Sequence, residues 1–182
     1  MPIIRPVLTY ADLAQMPDDG KRYELLEGVL AVSPAPKTKH QRCVWRLIAF
    51  FQHVEEAGYG RGYTAPVDVI LDIHTVVQPD VLFIRTDRLS IVTENNVQGV
   101  PDLVVEVLSS STRDRDLTAK AHVYAQFSVG EYWIVDPDDE TLTVYRLTDA
   151  GYVTENPLTG SVPWTSPLFP DIPVTVSDLF RP

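Results

Sequence analysis

Cysteine and positive charge are both scarce in this sequence, and each shortage excludes a class of protein. Cys43 is the only cysteine among 182 residues, so an intramolecular disulfide and a cysteine-rich zinc site are excluded. Lys and Arg total 15 against 25 Asp and Glu, which gives a formal net charge of -10. Proteins that hold nucleic acid through their whole surface are usually basic, so any contact with nucleic acid must be local or aided by a metal ion.

Long apolar runs are also missing. No run approaches the ~20 apolar residues of a membrane-spanning helix, and Met1 to Ala11 lack the apolar stretch of a signal peptide. We therefore expect a cytoplasmic protein with no membrane partner, as a single cysteine also suggests. The content of 45% hydrophobic and 22% charged residues is typical of one globular domain, expected over residues 1–182.

Apolar periodicity and turn residues predict helices at both ends of a group of strands. A short capped helix at Thr9–Leu13 precedes a hairpin over Arg22–Ser33, which turns at Glu27-Gly28. Helical spacing of apolar residues predicts one long helix over Thr38–Ala57 and a second over Thr112–Phe127.

Three strands are predicted between the two long helices. They are Tyr63–Leu71, Val76–Ile84 and Asp102–Leu108, and the last is nearly all apolar, as in a strand buried on both faces. A second hairpin over Glu131–Leu147 follows, and we expect the proline-rich remainder, Gly151–Pro182, to wrap the core. Helices on both faces of a mixed sheet would bury these strands, which makes the fold class α/β.

Two carboxylates occupy apolar strands, where burial is costly. Asp80 lies in the predicted strand Val76–Ile84, and Glu106 in the next strand shares a face with Val104 and Leu108, since side chains alternate along a strand. An unpaired buried carboxylate costs several kcal/mol or takes up a proton. A divalent cation such as magnesium or manganese would remove this cost and the mutual repulsion. The alternative is that each acid pairs with an arginine or caps its strand.

Lys120 falls within the apolar stripe of the second long helix. The stripe consists of Leu117, Ala121, Tyr124 and Phe127. A lysine that faces a sheet needs a partner, and Glu106 on the preceding strand is the obvious candidate. The alternative is that the long side chain runs along the core edge to water.

His40 opens the first long helix, one turn before Val44, and is predicted to face inward. It could orient water, contact phosphate or bind metal. The alternative is a helix N-terminal histidine whose hydrogen bond is already satisfied.

A hydroxyl-rich segment, Ser109–Thr112, precedes the second long helix. No Gly-x-Ser-x-Gly sequence surrounds it, which argues against a serine nucleophile. Ser111 followed by Asp114 predicts a helix cap. Arg113 and Arg115 could meet a phosphate; the alternative is solvated charge paired with Asp114 and Asp116.

Several of these segments recur together in one known family. They are Arg22–Gly28 with Ser33–Pro36 and His40, then Gln78–Val81, then Pro101–Ser109 leading through Ser111–Arg113 to Lys120, and finally Glu131–Pro137. Together they resemble the Uma-two (Uma2) family of putative restriction endonucleases, within the PD-(D/E)XK nuclease superfamily. The resemblance covers nearly the whole chain.

The resemblance implies a restriction-endonuclease-like core in which a mixed β-sheet is flanked by helices, with added N-terminal and C-terminal hairpins. It also implies a Mg²⁺ (or Mn²⁺) site, with Asp80 and Glu106 at the positions of the metal ligands. The superfamily lysine normally lies two residues after the second acid, where this chain has Leu108. Family members carry the lysine on the following helix, and Lys120 matches that position.

Glu24 and His40 match two further positions that recur in the family, so the implied catalytic set comprises five residues. They are Asp80, Glu106, Lys120, His40 and Glu24. The implied activity is metal-dependent hydrolysis of phosphodiester bonds in nucleic acid, and DNA is the substrate expected first. Contact with the nucleic acid would be through a local site. A non-catalytic binding or regulatory module on the same fold is the alternative, and the acidic composition favours it. A homodimer is among the assemblies compatible with the family.

Overall fold

The computed structural model describes residues 7 to 181. The expectation that Met1 to Ala11 hold no signal peptide therefore rests mainly on residues outside the described range, as does any expectation for Pro182. Among the residues described, no helix combines the length and the apolarity needed to cross a membrane.

The chain alternates strands with a small number of helices. The strands are β1 Arg22–Leu26, β2 Val29–Ser33, β3 Gly60–Thr64, β4 Val69–Asp72, β5 Thr75–Val77, β6 Val81–Arg85, β7 Val97–Gln98, β8 Leu103–Val107, β9 Glu131–Asp136, β10 Thr141–Thr148, β11 Gly151–Thr154, β12 Pro163–Trp164 and β13 Val174–Thr175. The helices are α1 Tyr10–Leu13, α2 Thr38–Glu56, α3 Arg113–Arg115, a π-helical turn Asp116–Lys120, α4 Ala121–Gln126, and 3-10 turns at Thr86–Ile91 and Val176–Phe180.

A six-stranded mixed sheet forms the centre of the fold. Its strand order is β11-β10-β9-β8-β6-β3, and β8 and β9 are parallel while the other neighbours are antiparallel. A five-stranded sheet, β2-β1-β5-β4-β7, carries the N-terminal hairpin, and β12 pairs with β13. This architecture confirms the predicted α/β class with a mixed sheet and added hairpins.

The side chains on the two faces of strand β8 pack against different helices. Val105 faces α2, where it shares a core cluster with Leu47 and Phe51. Val104 faces the opposite way and shares a cluster with Tyr124 of α4. Glu106 follows Val104 by two positions and therefore points to the α4 side.

Two predicted strands are wrong as single strands. Tyr63–Leu71 breaks at Ala65-Pro66, and Val76–Ile84 breaks at Pro79. Proline has no N–H to offer a sheet ladder, so each segment leaves one sheet and enters the other. Asp80 consequently lies one residue before β6, in the connection between the sheets, rather than inside a strand.

The N-terminal elements agree with the sequence prediction. Thr9 and Asp12 form a capping box on α1. The turn residues Glu27 and Gly28 both have positive φ, as a tight two-residue hairpin turn requires.

The predicted cap of the second long helix is wrong. Thr112, rather than Ser111, is the residue that precedes the helix, and its side chain makes no capping hydrogen bond. The Ser111 hydroxyl instead lies 3.1 Å from the Ser109 hydroxyl, within the loop. The predicted helix itself is present as the continuous run of α3, the π-helical turn and α4.

Candidate active site

One cavity of about 300 Å³ contains all five residues of the predicted catalytic set, and we call it the acidic pocket. Its charged and imidazole groups are Arg22, Glu24, Lys37, His40, Asp80, Glu106, Arg115, Asp116 and Lys120. The other lining residues are Ser33–Pro36 and Ser109–Thr112. Elements far apart in sequence therefore meet at one concave site, which is the usual form of a ligand pocket.

Lys120 is the centre of a buried cluster of acids. Its Nζ lies 2.7 Å from Glu106 Oε1, 2.8 Å from Glu24 Oε1 and 3.9 Å from Asp116 Oδ1. Because the side chain is 2% exposed, the alternative that it runs along the core edge to water is wrong. Glu24 also accepts a hydrogen bond from the backbone N–H of Gln78 at 2.8 Å.

Asp80 is held by groups from three other elements. Its Oδ1 lies 2.7 Å from an Arg22 guanidinium nitrogen on β1, and its Oδ2 lies 2.9 Å from His40 Nε2 on α2. Oδ2 also accepts the backbone N–H of Val107 on β8 at 2.9 Å. Burial works to raise the pKa of Asp80, but the hydrogen bonds and the positive charge lower it to about 2. Asp80 is therefore an ionised acceptor, and His40 is placed on the inward face as expected.

Glu106 is the acid of the pocket whose ionisation is least favourable. Burial raises its pKa to about 8; the ammonium group of Lys120 opposes this, while Asp116, Asp80 and Glu24 add to it. The pKa of Lys120 rises, since the surrounding carboxylates outweigh the effect of burial. Lys120 thus stays charged, and near neutral pH a proton in the cluster resides on Glu106.

The π-helical turn places two charged side chains in the pocket. Asp116 and Lys120 begin and end this turn, and both are buried. The Tyr132 hydroxyl donates a hydrogen bond to the Asp116 carbonyl oxygen at 2.9 Å, and the Tyr124 hydroxyl donates one to Glu106 Oε1 at 2.9 Å. Such turns occur often at functional sites, because they alter the direction of side chains within a helix.

The donor chemistry of the acidic pocket fits a hard divalent cation held by few protein ligands. Asp80 and Glu106 supply carboxylate oxygens, and a buried oxygen of Asp116 has no hydrogen-bond partner among the described residues. Within residues 7 to 181, no three His, Cys, Asp or Glu side chains are arranged to hold an ion by themselves. Magnesium commonly binds through one or two carboxylates and completes its shell with water and substrate phosphate.

Sequence reasoning missed several partners in the pocket. Arg22 was not singled out, although it shares a face of β1 with Glu24 two positions later. Asp116 and Tyr124 lie four residues before and after Lys120, which is the spacing of neighbours on one helix face. These spacings are visible in the sequence, but spacing alone does not show that Arg22 and Asp116 turn inward. The fold shows it.

The two arginines beside the helix have partners other than those expected. Arg113 pairs at 2.7 Å with the buried Asp136, which is the last residue of β9. Arg115 hydrogen-bonds to Ser33 Oγ and lies 3.7 Å from Glu24 Oε2. Arg115 therefore joins the pocket wall, and Arg113 lies outside it.

Comparison with known proteins identifies the family. No curated protein shows significant similarity to the chain. The crystal structure of a putative nuclease belonging to DUF820 from Anabaena variabilis matches with a TM-score of 0.78, at 19% identity, over 95% of this chain and 97% of that chain. At this identity the likeness shows a shared fold. The model of the Uma2 family, described as "Putative restriction endonuclease", matches residues 10–177, and the protein therefore belongs to the Uma2 family.

Proposed function

We propose that this protein is a metal-dependent endonuclease that hydrolyses phosphodiester bonds in nucleic acid, with DNA as the first choice of substrate. The observation that carries the proposal is the buried cluster of Lys120, Glu106, Glu24 and Asp80 in one concave pocket. Groups with strongly perturbed pKa values that meet in a cleft are characteristic of catalytic sites. The family and the fold of the DUF820 relative are consistent with this chemistry.

In the proposed reaction, the oxygen of water bonds to phosphorus as the water gives up a proton, the P–O bond to the leaving oxygen breaks, and the leaving oxygen takes up a proton. A diester and water thus give a monoester and an alcohol. Asp80 and Glu106 would hold Mg²⁺ or Mn²⁺. When bound, the ion supplies positive charge for the phosphate oxygens and makes water a better nucleophile at neutral pH. Lys120 would keep Glu106 and Glu24 in place and offset charge that develops on phosphorus.

His40 and Arg22 would fix the orientation of Asp80. His40 Nε2 hydrogen-bonds to the Asp80 carboxylate, while the buried His40 Nδ1 has no hydrogen-bond partner among the described residues. That nitrogen is thus available to a water molecule or a substrate oxygen in the pocket. Since every residue of the proposed site lies between Arg22 and Lys120 of one chain, the chemistry does not require a second copy.

A cleavage assay tests the proposal. The wild-type chain is incubated with varied DNA and RNA, with Mg²⁺, with Mn²⁺ and with chelator. Asp80→Asn and Glu106→Gln serve as inactive variants. Asp102→Asn is the matched control, because Asp102 is a buried aspartate paired with Arg88 outside the pocket. Metal-dependent cleavage that survives only in the wild type and the control is expected.

The non-catalytic binding module is the second candidate, and one observation favours it. The acids of the pocket already have cationic partners in the protein, Arg22 for Asp80 and Lys120 for Glu106. A pocket whose carboxylates are already paired with cations of the protein could serve stability or binding alone. Absence of cleavage on every substrate, with metal binding retained, would select this candidate.

A further inference from the structure

The reactive groups of the acidic pocket lie at its base. Lys120 is 2% exposed, Asp80 and Glu106 are 3% exposed, and His40 is 5% exposed. A cavity of about 300 Å³ is at the lower end of the range for ligand pockets. Any phosphodiester that reaches these groups must therefore leave most of its polymer outside.

The entrance of the pocket is bounded by two loop segments, which we call the lips. One lip is Pro34–Lys37, which follows β2, and its prolines, Pro34 and Pro36, restrict the backbone. The other lip is Ser109–Thr112. Lys37 Nζ lies 3.5 Å from Ser110 Oγ, so the lips meet across the entrance although 73 positions separate these residues.

The positive side chains at the pocket can bind only a small number of phosphates. Arg22 and Arg115 line the pocket but already contact Asp80 and Glu24. Lys37 is exposed and stands beside the hydroxyls of the second lip. Duplex DNA carries about one charge per 1.7 Å of its axis, so a chain of net charge -10 repels it beyond this local region.

A duplex is stiff over about 150 base pairs, so one of its phosphates can reach groups at the base of a recessed pocket only if the helix is bent or opened locally. A free strand needs no such deformation and exposes its phosphates singly.

We propose that the substrate is a single-stranded segment of nucleic acid, such as a free strand or an overhang, which enters between the lips and passes Lys37. This inference rests on the proposed nuclease function. It adds a substrate class, with Lys37 as a binding residue at the entrance.

The test uses one labelled DNA oligonucleotide in three forms and the full chain with Mg²⁺ or Mn²⁺. The forms are the free strand, the strand annealed fully to its complement, and the strand annealed so that an overhang remains. We expect the free strand and the overhang to be cut about tenfold faster or more than the full duplex. Cuts in the third form should fall within the overhang.

A pair of lysine variants tests the role of the entrance. In Lys37→Gln, binding of the free strand should weaken, and the slope of log K against log salt should become shallower by about 0.7, the loss of one phosphate contact. Lys39→Gln removes the same charge two residues away. It should leave the slope unchanged, because Lys39 lies outside the pocket and pairs with Asp138.

Binding of the free strand and of the full duplex is also measured with the Glu106→Gln variant. This measurement separates failure of the single-strand inference from failure of the nuclease proposal. Equal or faster cleavage of the full duplex would overturn the single-strand inference and leave the nuclease standing. If nothing is cut but Glu106→Gln and the wild type prefer the free strand, the nuclease proposal fails and the single-strand preference holds for binding alone. If nothing is cut and no strand preference exists, both are wrong.

Discussion

The hydroxyl group of Tyr132 donates a hydrogen bond to the backbone carbonyl oxygen of Asp116, 2.9 Å away, and so ties the central sheet to the π-helical turn that carries Lys120. Tyr132 lies on β9, beside the strand that carries Glu106. The position of the ammonium group relative to Glu106 therefore depends partly on a residue that is absent from the pocket lining.

Removal of the Tyr132 hydroxyl should affect the site more than the fold. Tyr132→Phe should cost about 1 kcal/mol of unfolding free energy, as for a typical hydrogen bond, and lower cleavage. Tyr152→Phe is the matched control, because its hydroxyl donates to the Val129 carbonyl at 2.8 Å, away from the pocket. Urea unfolding and cleavage rates check both variants. Equal activity in the two would show that Tyr132 acts on stability alone.

Metal should stabilise the folded protein. Magnesium or manganese is expected to raise the melting temperature, because an ion that binds only the folded state shifts the unfolding equilibrium. Asp80→Asn should abolish the rise. Asp102→Asn should start from a lower melting temperature, owing to loss of the charged pair with Arg88, yet keep the rise. A full metal-dependent rise in Asp80→Asn would remove Asp80 from the ligand set.

Replacement of Lys120 should lower the free energy of unfolding strongly, and here the structure changes the expectation. From sequence, Lys120→Met is expected to cost little stability or even to stabilise the protein. The ammonium group is in fact shared by Glu106, Glu24 and Asp116, all buried. Loss of one partner of a buried ionic group typically costs roughly 3–5 kcal/mol.

The cost of Lys120→Met should be near the lower end of that range, because Glu106 already holds a proton near neutral pH and so does not become an unpaired charge. Chemical unfolding measures the loss of stability, and a cleavage assay should show no activity while metal binding survives. Lys39→Met, at an exposed position, should change stability by less than about 0.5 kcal/mol. Full cleavage by Lys120→Met would refute the proposed role of its charge.

Stability should fall as pH rises from about 4.5 to about 8, owing to Glu106. The pKa of this acid is raised from 4.5 to about 8 in the folded chain. In that window the folded state keeps a proton that the unfolded chain has lost, so the stabilisation is complete below pH 4.5 and is lost on approach to pH 8. Urea unfolding across this range should show the decline.

Glu106→Gln should flatten that decline, since glutamine does not titrate. The pKa of Asp80 is lowered to about 2, so its own contribution is lost only below its ordinary value of 3.8, outside the window. Metal bound to Glu106 must displace the same proton, so the rise in melting temperature should grow with pH. A decline of equal size in Glu106→Gln would assign the pH dependence to another group.

Local patterns in the sequence were enough to predict that Lys120 meets Glu106. Alternation along β8 fixed the face of Glu106, and helical spacing placed Lys120 among inward residues. Both rules describe neighbours within one element. They remained useful although part of the helix is π-helical, because residues four apart share a face in both forms.

The partners of Asp80 could not be predicted in the same way. Arg22 and His40 lie 58 and 40 positions before it, and they reach it only because the chain crosses between two sheets at Pro79. Apolar periodicity continued through Pro79 and so indicated one long strand. The proline was the contrary signal, since it is disfavoured inside a sheet.

The wide separation of Arg22, Asp80 and Lys120 along the chain has a consequence for synthesis on the ribosome. Chains emerge N-terminus first, and the backbone N–H of Val107 and the Lys120 ammonium group emerge well after Asp80. An incomplete chain therefore holds Arg22, His40 and Asp80 without the β8 strand and helix that complete the pocket. A protein proposed to cut nucleic acid would gain that capacity only after most of its chain had left the ribosome.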